Sequence, residues 1–535
     1  MDTRLPSTEV SAGQIARALR ANISPRSRAA MLLLPFAVWI WLCLDWPARL
    51  GFYADDWVLL LHPFVRTARA FHDIASIVAT RPASIPFIWL AQAVSDWSPL
   101  RSQLFNAAML LVTAASVGVL AAALASTSRE LRSGAMAAAC IAATAFIVFP
   151  STVGTFAWGS GVIAVVPATP LFCLGVSLLV RSDGKGWPFG LGLGLALLSH
   201  LSYEAFYFQE ITVVLAAAAL GRATFKNFPW RALIGALLVN VSCISFNRFA
   251  GGVQKSFDWN FVQTFMVGYS HALDIFGHAT REHSLLIARA VLLAALAGLL
   301  CLVRFVGFAR VQVALIVFAC GILASGLLYA FAGYGLAAEG TMARVSIVIA
   351  TYFSIAAGLM AAAAWRGIGA QRWVAIGFFL CGIPALLALG LTARSRVADW
   401  ADTWTYETER LSRLPVASGS ADHEQRLFLA IDDGIPSFVA PATAPWEITG
   451  AVAWASNKAT HSRLAMVDSW RWPPAQSRWF ATAHNWFNRW DGTRFEQGPC
   501  GGGVAYYGSG AELWAWRTSD SVLVKIEPPW EIGCK

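Results

Sequence analysis

Charge is what this sequence has least of. Only 13% of its 535 residues are charged, 57% are hydrophobic, and the mean hydropathy is +0.56. That imbalance excludes an ordinary water-soluble globular chain, because too few polar side chains remain to cover a surface. Nucleotide and hydrolase signatures are also missing. There is no Walker loop, no GxSxG, no HExxH and no Rossmann fingerprint, which argues against ATP-driven transport and standard hydrolase chemistry. Histidine is sparse, and His62, His72, His271 and His283, with Asp73, follow no metal-binding spacing. Each reads first as a structural residue. No basic stripe with interleaved aromatics suggests nucleic acid, and there is no internal repeat.

What the chain has is long apolar runs. A helix needs about 20 apolar residues to cross the hydrocarbon core. Eleven segments qualify as candidate spans: 29–46, 101–126, 134–150, 157–180, 187–202, 205–221, 231–248, 284–303, 311–330, 345–364 and 373–392. The formal charge of +9 is carried by the first 392 residues, since 393–535 is slightly acidic. Its basic residues gather in the tail (Arg4, Arg17, Arg20, Arg26, Arg28) and in short loops at Arg129/Arg132, Arg181/Lys185, Arg222/Lys226/Arg231, Arg304/Arg310 and Arg366/Arg372. With eleven spans these all fall on one side, the positive-inside pattern. That requires 134–180 and 187–221 to be helical hairpins. The tail, residues 1–28, is then cytoplasmic and the first span an uncleaved anchor. Seven cysteines (Cys43, Cys140, Cys173, Cys243, Cys301, Cys320, Cys381) sit in or beside apolar runs as small core residues. Cys500 and Cys534 lie outside, where a disulfide is open to them.

The expected architecture is therefore a mainly α, polytopic membrane bundle of about eleven spans, N-in and C-out, followed by a small extracytoplasmic α/β domain over 393–535. The first outer loop, 47–100, contains two amphipathic stretches, 56–71 and 82–96, that read as interfacial helices. A second outer loop covers 249–283. The tail domain begins with an amphipathic helix, SRVADWADTWTYETERLSRL. Strand-like runs follow at QRLFLAI, RLAMV, GGVAYYG, ELWAWRT and SVLVKIE, with a helix near 446–457. It holds half of the chain's 24 Trp. Aromatic faces stack on sugars, but they also fill cores and interfacial belts.

Two adjacent aspartates, Asp55 and Asp56, stand in GFYADDWVLLLHP in the first outer loop. The bland reading is an N-cap for the helix that follows. The sharper one is a general base, with one carboxylate orienting while the other faces a site, since adjacent helical residues point about 100° apart. Trp57 and His62, beside the pair, are candidate substrate contacts. Arg81-Pro82 follows in the same loop, and Arg344 lies in AAEGTMARVS before the tenth span. Both are cations able to pair with phosphate. Arg248 and Lys255 are weaker candidates, and Arg289 reads as a snorkelling residue. Glu204, in HLSYEAFYF, sits at the turn between the fifth and sixth spans with Glu210 deeper. Ionisable groups at such depth tend to line cavities.

The arrangement resembles the GT-C superfamily of membrane glycosyltransferases. The residues carrying the likeness are the acidic pair, then RPASIPFIWLAQAVSDWSPLRSQLFNAAMLL with Asn106 early in the second span, FPSTVGTFAWGSG (149–161), SYEAF (202–206) and MARVS. The likeness covers residues 30–400. It is nearest to the branch using polyprenyl-phosphate sugars, such as protein O-mannosyltransferase-like and aminoarabinose transferase-like enzymes. It implies sugar transfer from a lipid-phosphate donor to an extracytoplasmic glycan, lipid or protein, in the cell (inner) membrane. Asp55 or Asp56 would be the base, Arg81 and Arg344 would hold the phosphate, and Glu204 would bind hydroxyls. A lipid phosphate leaves without nucleotide chemistry, so no cofactor is required, though nothing in the sequence bars a divalent metal. Two alternatives remain open: a transporter or flippase of a lipid-linked glycan, and a non-catalytic scaffold binding envelope polysaccharide.

Overall fold

The computed structural model describes residues 25–53, 56, 79–182, 184–221, 228–249, 260–273, 281–331, 341–370, 372–413, 426–431, 451, 454, 479–482, 486–499, 502, 506–508, 511–517 and 522–534. Asp55, Trp57 and His62 lie outside them, as do residues 57–78 of the first outer loop, the strand expected at RLAMV, and Cys500.

The chain runs through α1 (Pro25–Cys43), α2 (Trp46–Arg49), α3 (Ile85–Ser95), α4 (Pro99–Thr127), α5 (Ala135–Val148), α6 (Pro150–Phe156), α7 (Gly159–Arg181), α8 (Gly186–His200), α9 (Gln209–Leu220), α10 (Trp230–Phe249), α11 (Phe261–Leu273), α12 (Arg281–Val306), α13 (Phe308–Phe331), α14 (Ile347–Ala370) and α15 (Arg372–Arg413). Short 3-10 turns at Pro82–Ser84, Glu204–Phe206 and Thr341–Ser346 carry the candidate charged residues or adjoin them. All eleven apolar runs are helical. Among the described residues, eight helices are long and apolar enough to cross a membrane, and a ninth crossing is available if α5 and α6, bent by 68° at Pro150, count as one. The expected spans at 187–202 and 205–221 differ. They form α8 and α9, of 15 and 12 residues, too short to cross alone. Their apolar runs are interrupted by polar groups that are bonded within the protein: His200 to Glu210, and Glu204 to Arg81.

Two surfaces explain the bundle. Outward, Leu32, Leu238, Leu300, Leu380 and Leu391 are more than 60% exposed, a pattern tolerable only against lipid. Inward, α4 packs on α5, α7 and α14, with Leu110, Leu120, Phe146 and Phe156 wholly buried. Small residues permit that closeness. A Cβ on Gly118 would fall 2.6 Å from the Ala139 carbonyl oxygen, and one on Gly358 equally near that of Ala138.

The amphipathic helix expected to open the tail domain is continuous with the last span, and α15 runs unbroken across position 393 for 42 residues. Beyond it the described residues form two small sheets. In the first, β1 (Arg426–Ile431) pairs parallel to β6 (Glu512–Arg517), which pairs antiparallel to β7 (Val522–Ile526). The second has the order β2-β8-β3-β4-β5, built from Trp479–Thr482, Trp530–Cys534, Trp486–Trp490, Phe495–Pro499 and Tyr506–Gly508. Only β2 and β8 in it run parallel. The apolar runs at 425–431, 512–518 and 521–527 thus become strands of one sheet.

Candidate active site

Asp56 is fully buried and receives four hydrogen bonds. Its Oδ1 accepts from the Ser160 amide at 2.6 Å and the Ser160 hydroxyl at 2.9 Å; its Oδ2 accepts from the Tyr53 and Gly159 amides, each at 3.1 Å. The first amides of any helix lack an intrahelical acceptor, and those of α7 find theirs in this carboxylate, where the helix dipole also favours an anion. Burial pushes the Asp56 carboxyl up to about 7, while the amide and hydroxyl donors pull it down. The sequence reading of the pair as a cap for the helix that follows it falls on residues outside the described ones. Asp56 caps α7, a hundred residues onward, because Gly159 and Ser160 leave their amides open beneath it. With both oxygens engaged, Asp56 also has no idle lone pair comparable to that of a free base.

Tyr53 ties this loop to α15. Its hydroxyl donates to the Trp400 carbonyl at 2.8 Å, its ring meets the Trp400 ring edge-on at 4.6 Å, and its carbonyl accepts from the Trp158 indole at 3.0 Å. Gly51 has to be glycine here, since a Cβ would sit 1.9 Å from the Trp404 ring. Gln103 of α4 is a second tie. Its amide donates to the carbonyls of Gly51 (2.6 Å) and Ala157 (2.9 Å) and accepts from the Trp46 indole (2.7 Å). Asn106, one turn on, is buried, and its Nδ2 finds no acceptor among the described residues.

The cations come from other segments. Arg81 makes a two-point contact with Glu204, Nε to Oε2 at 2.8 Å and Nη2 to Oε1, and lies 5.0 Å over the Tyr203 ring. Burial acts to lower the Arg81 guanidinium, but the Glu204 carboxylate outweighs it and holds Arg81 above its usual range. Arg81 was expected as a cation able to pair with phosphate; in the structure the Glu204 carboxylate pairs with it. Arg344 is different. It stacks 4.5 Å from the Trp158 ring centroid, and among the described residues no carboxylate pairs with it. Burial pushes the Tyr203 phenol up, and Arg344 and Arg81 both act to lower it, so one tyrosine feels both cations.

Asp56, Arg81, Glu204 and Arg344 are therefore brought together through Trp158 and Tyr203. The capped end of α7 begins one residue past the indole on which Arg344 stacks. Arg248 and Arg289 are exposed, and neither joins this group. Phe149 packs at 5.2 Å on Phe353, which also lines an apolar cavity of about 200 Å³ between α5, α12, α14 and α15. Met360, Phe378 and Leu389 are among its walls. The cavity starts nine residues along the chain from Arg344, roughly 14 Å at helical rise. No group of three or more His, Cys, Asp or Glu side chains able to hold a metal gathers among the described residues. Sequence reasoning passed over Tyr53, Gln103 and Trp158 as individuals. The FAWGSG stretch was the one signal for Trp158; a lone amide in an apolar helix was the only one for Gln103.

No protein-family model matches the chain, and no curated protein matches it. Among solved structures, the fold is similar to the archaeal oligosaccharyltransferase AglB of Archaeoglobus fulgidus, determined with an inhibitory peptide and a dolichol-phosphate. The match has a TM-score of 0.41 and 13% identity, over 82% of this chain and 64% of that one.

Proposed function

We propose that this chain is a membrane glycosyltransferase moving a sugar from a polyprenyl-phosphate donor to an extracytoplasmic glycan, lipid or protein acceptor. The observation that carries the reading is Arg344. It is a cation without a carboxylate partner among the described residues, stacked on Trp158 next to the α7 end that Asp56 caps, and nine residues along the chain from the wall of an apolar cavity. A phosphate on a lipid tail answers both halves of that arrangement. In the reaction, Asp55 takes the proton of the acceptor hydroxyl while its oxygen attacks the anomeric carbon. The bond from that carbon to the phosphate oxygen breaks, and the phosphate keeps the electron pair beside Arg344. Attack opposite the phosphate inverts the anomeric centre. Asp56 is better suited to hold the loop than to serve as base, because its oxygens are already bonded. Glu204, oriented by Arg81, would accept hydroxyl hydrogen bonds from a sugar. The scheme requires no divalent metal. The active site and tail domain belong on the periplasmic or extracellular side, as the distribution of basic loops implies.

The test is sugar transfer from a panel of polyprenyl-phosphate donors in membranes containing the full chain. Wild type should transfer, and Asp55→Asn should lose about 10³-fold or more in kcat with normal protein levels. An Asp55→Asn protein as active as wild type, or a wild type inert with every donor, would overturn the reading.

A further inference from the structure

A polar cluster deep in the bundle plays no part in that scheme. α8 ends at His200 and α9 begins at Gln209, and the loop between them carries Tyr203 and Glu204. Both ends of the loop meet on α10. His200 Nε2 and Glu210 Oε1 lie 2.8 Å apart, and Asn240 donates its Nδ2 to the same oxygen at 2.6 Å. The Asn240 Oδ1 accepts from the Phe208 amide at 2.7 Å. Phe208 has φ +65°, a left-handed conformation that a bulky residue keeps only when its surroundings enforce it. At the other end, the loop is stitched to the start of α3. The Ala83 amide donates to the Leu201 carbonyl at 3.2 Å, and the Ser84 hydroxyl to that of Ser202 at 2.9 Å. These contacts lie immediately after Arg81.

Stability alone gives a poor account of this cluster. All three side chains are wholly buried, and the Glu210 Oε2 and His200 Nδ1 atoms have no partner among the described residues. Buried polar atoms left idle cost stability, and an apolar trio of similar volume would pack without that loss. What the cluster does supply is direction. It fixes both ends of a loop whose middle must present Glu204 to Arg81.

We propose that His200, Glu210 and Asn240 are positioning residues for the Tyr203–Glu204 loop. They hold Glu204 against Arg81, so that Arg81 is committed to the carboxylate and Arg344 remains the cation open to a ligand. The kinetic consequence rests on the glycosyltransfer reading; the structural one stands apart from it. The experiment is hydrogen exchange of the purified full chain, with transfer assayed in parallel. In Glu210→Ala and Asn240→Ala, peptides covering 79–85 and 201–208 should exchange at least fivefold faster, while those of α4 and α7 stay unchanged. kcat should fall about 10–100-fold with a smaller change in KM, as misplacement of a site produces. Glu210→Gln, which keeps an acceptor for Asn240, should restore most of both. Should Glu210→Ala not fold, His200→Phe carries the same test, since a phenyl ring retains the edge contact with Tyr207. Unchanged exchange at the two peptides overturns the proposal, and so does a uniform rise over the whole chain. Opening of the two peptides in a protein that transfers no sugar supports the positioning role and removes the glycosyltransfer reading instead.

Discussion

The two halves of the site are built from different materials. Asp56 is held by backbone, taking three amide donors and one hydroxyl from segments that the helix dipole and the α7 N-terminus fix in place. The opposite half is held by side chains. Arg81 is about a third exposed and leans on Glu204, and Arg344 rests on an indole face. Backbone donors cannot change rotamer, whereas guanidinium groups on flexible stems can. The first half is therefore suited to holding a loop still, and the second to taking hold of a ligand and letting go. The contrast predicts that damage to the two halves reads out differently, as lost stability in one and lost turnover in the other.

Among the described residues, the largest loss of turnover should come from the side-chain half. Arg344→Ala removes the one described cation of the site without a carboxylate partner, and transfer should fall about 10²–10³-fold, the range seen when a group that stabilises developing negative charge is removed. The thermal midpoint should stay within a degree or two of wild type, since the guanidinium is half-buried and bonded to no carboxylate among the described residues. Arg344→Lys should recover only part of the loss, because an ammonium keeps the charge but not the planar stacking on Trp158. Equal melting losses in Arg344→Ala and Asp56→Asn would erase the distinction between the halves.

Asp56→Asn probes the backbone half. However the new amide is turned, its NH2 faces groups that themselves donate, and buried amides at the α7 N-terminus lose their acceptor. The expected cost is about 2–4 kcal/mol of stability, read as a lowered thermal midpoint in detergent. The fraction that stays folded should still transfer sugar, where Asp55→Asn would be folded and inactive. An Asp56→Asn protein with wild-type stability and no turnover would reverse the assignment of the two aspartates.

Much of the fold was legible in the sequence, and for a simple reason: lipid forces an apolar run to become a helix, and all eleven runs did. Length was the weaker inference. Hydropathy cannot distinguish a span from two short helices such as α8 and α9, whose polar groups bond to each other, and it cannot see that α15 continues past the membrane as one helix. For the site, the charged residues Asp56, Arg81, Glu204 and Arg344 stood out because charge in an apolar chain is conspicuous. Their partners did not. Trp158, Tyr53 and Gln103 are ordinary residue types whose roles come from contacts across 50 to 350 positions. The target of the Asp56 cap was invisible for the same reason, since an acidic residue near a helix start points by default to the nearest helix.

The smallest expected effect sits where the two halves join. Tyr53 gives its amide to Asp56, its carbonyl to Trp158, and its hydroxyl to the Trp400 carbonyl on α15. Tyr53→Phe removes the last of these, together with the bond that the hydroxyl accepts from the Gly51 amide at 3.2 Å, and leaves the ring against Trp400. The Trp400 carbonyl then loses a donor and the Gly51 amide its acceptor, costing about 1–2 kcal/mol together, which should appear as a small drop in melting temperature. If α15 merely packs against the loop, turnover should follow that drop and nothing more. If α15 helps to aim the aspartate loop, kcat should fall about three- to tenfold at temperatures where the variant is fully folded, with KM little changed. The second outcome would bring the C-terminal extension of α15, and through it the tail domain, into the backbone-built half of the site.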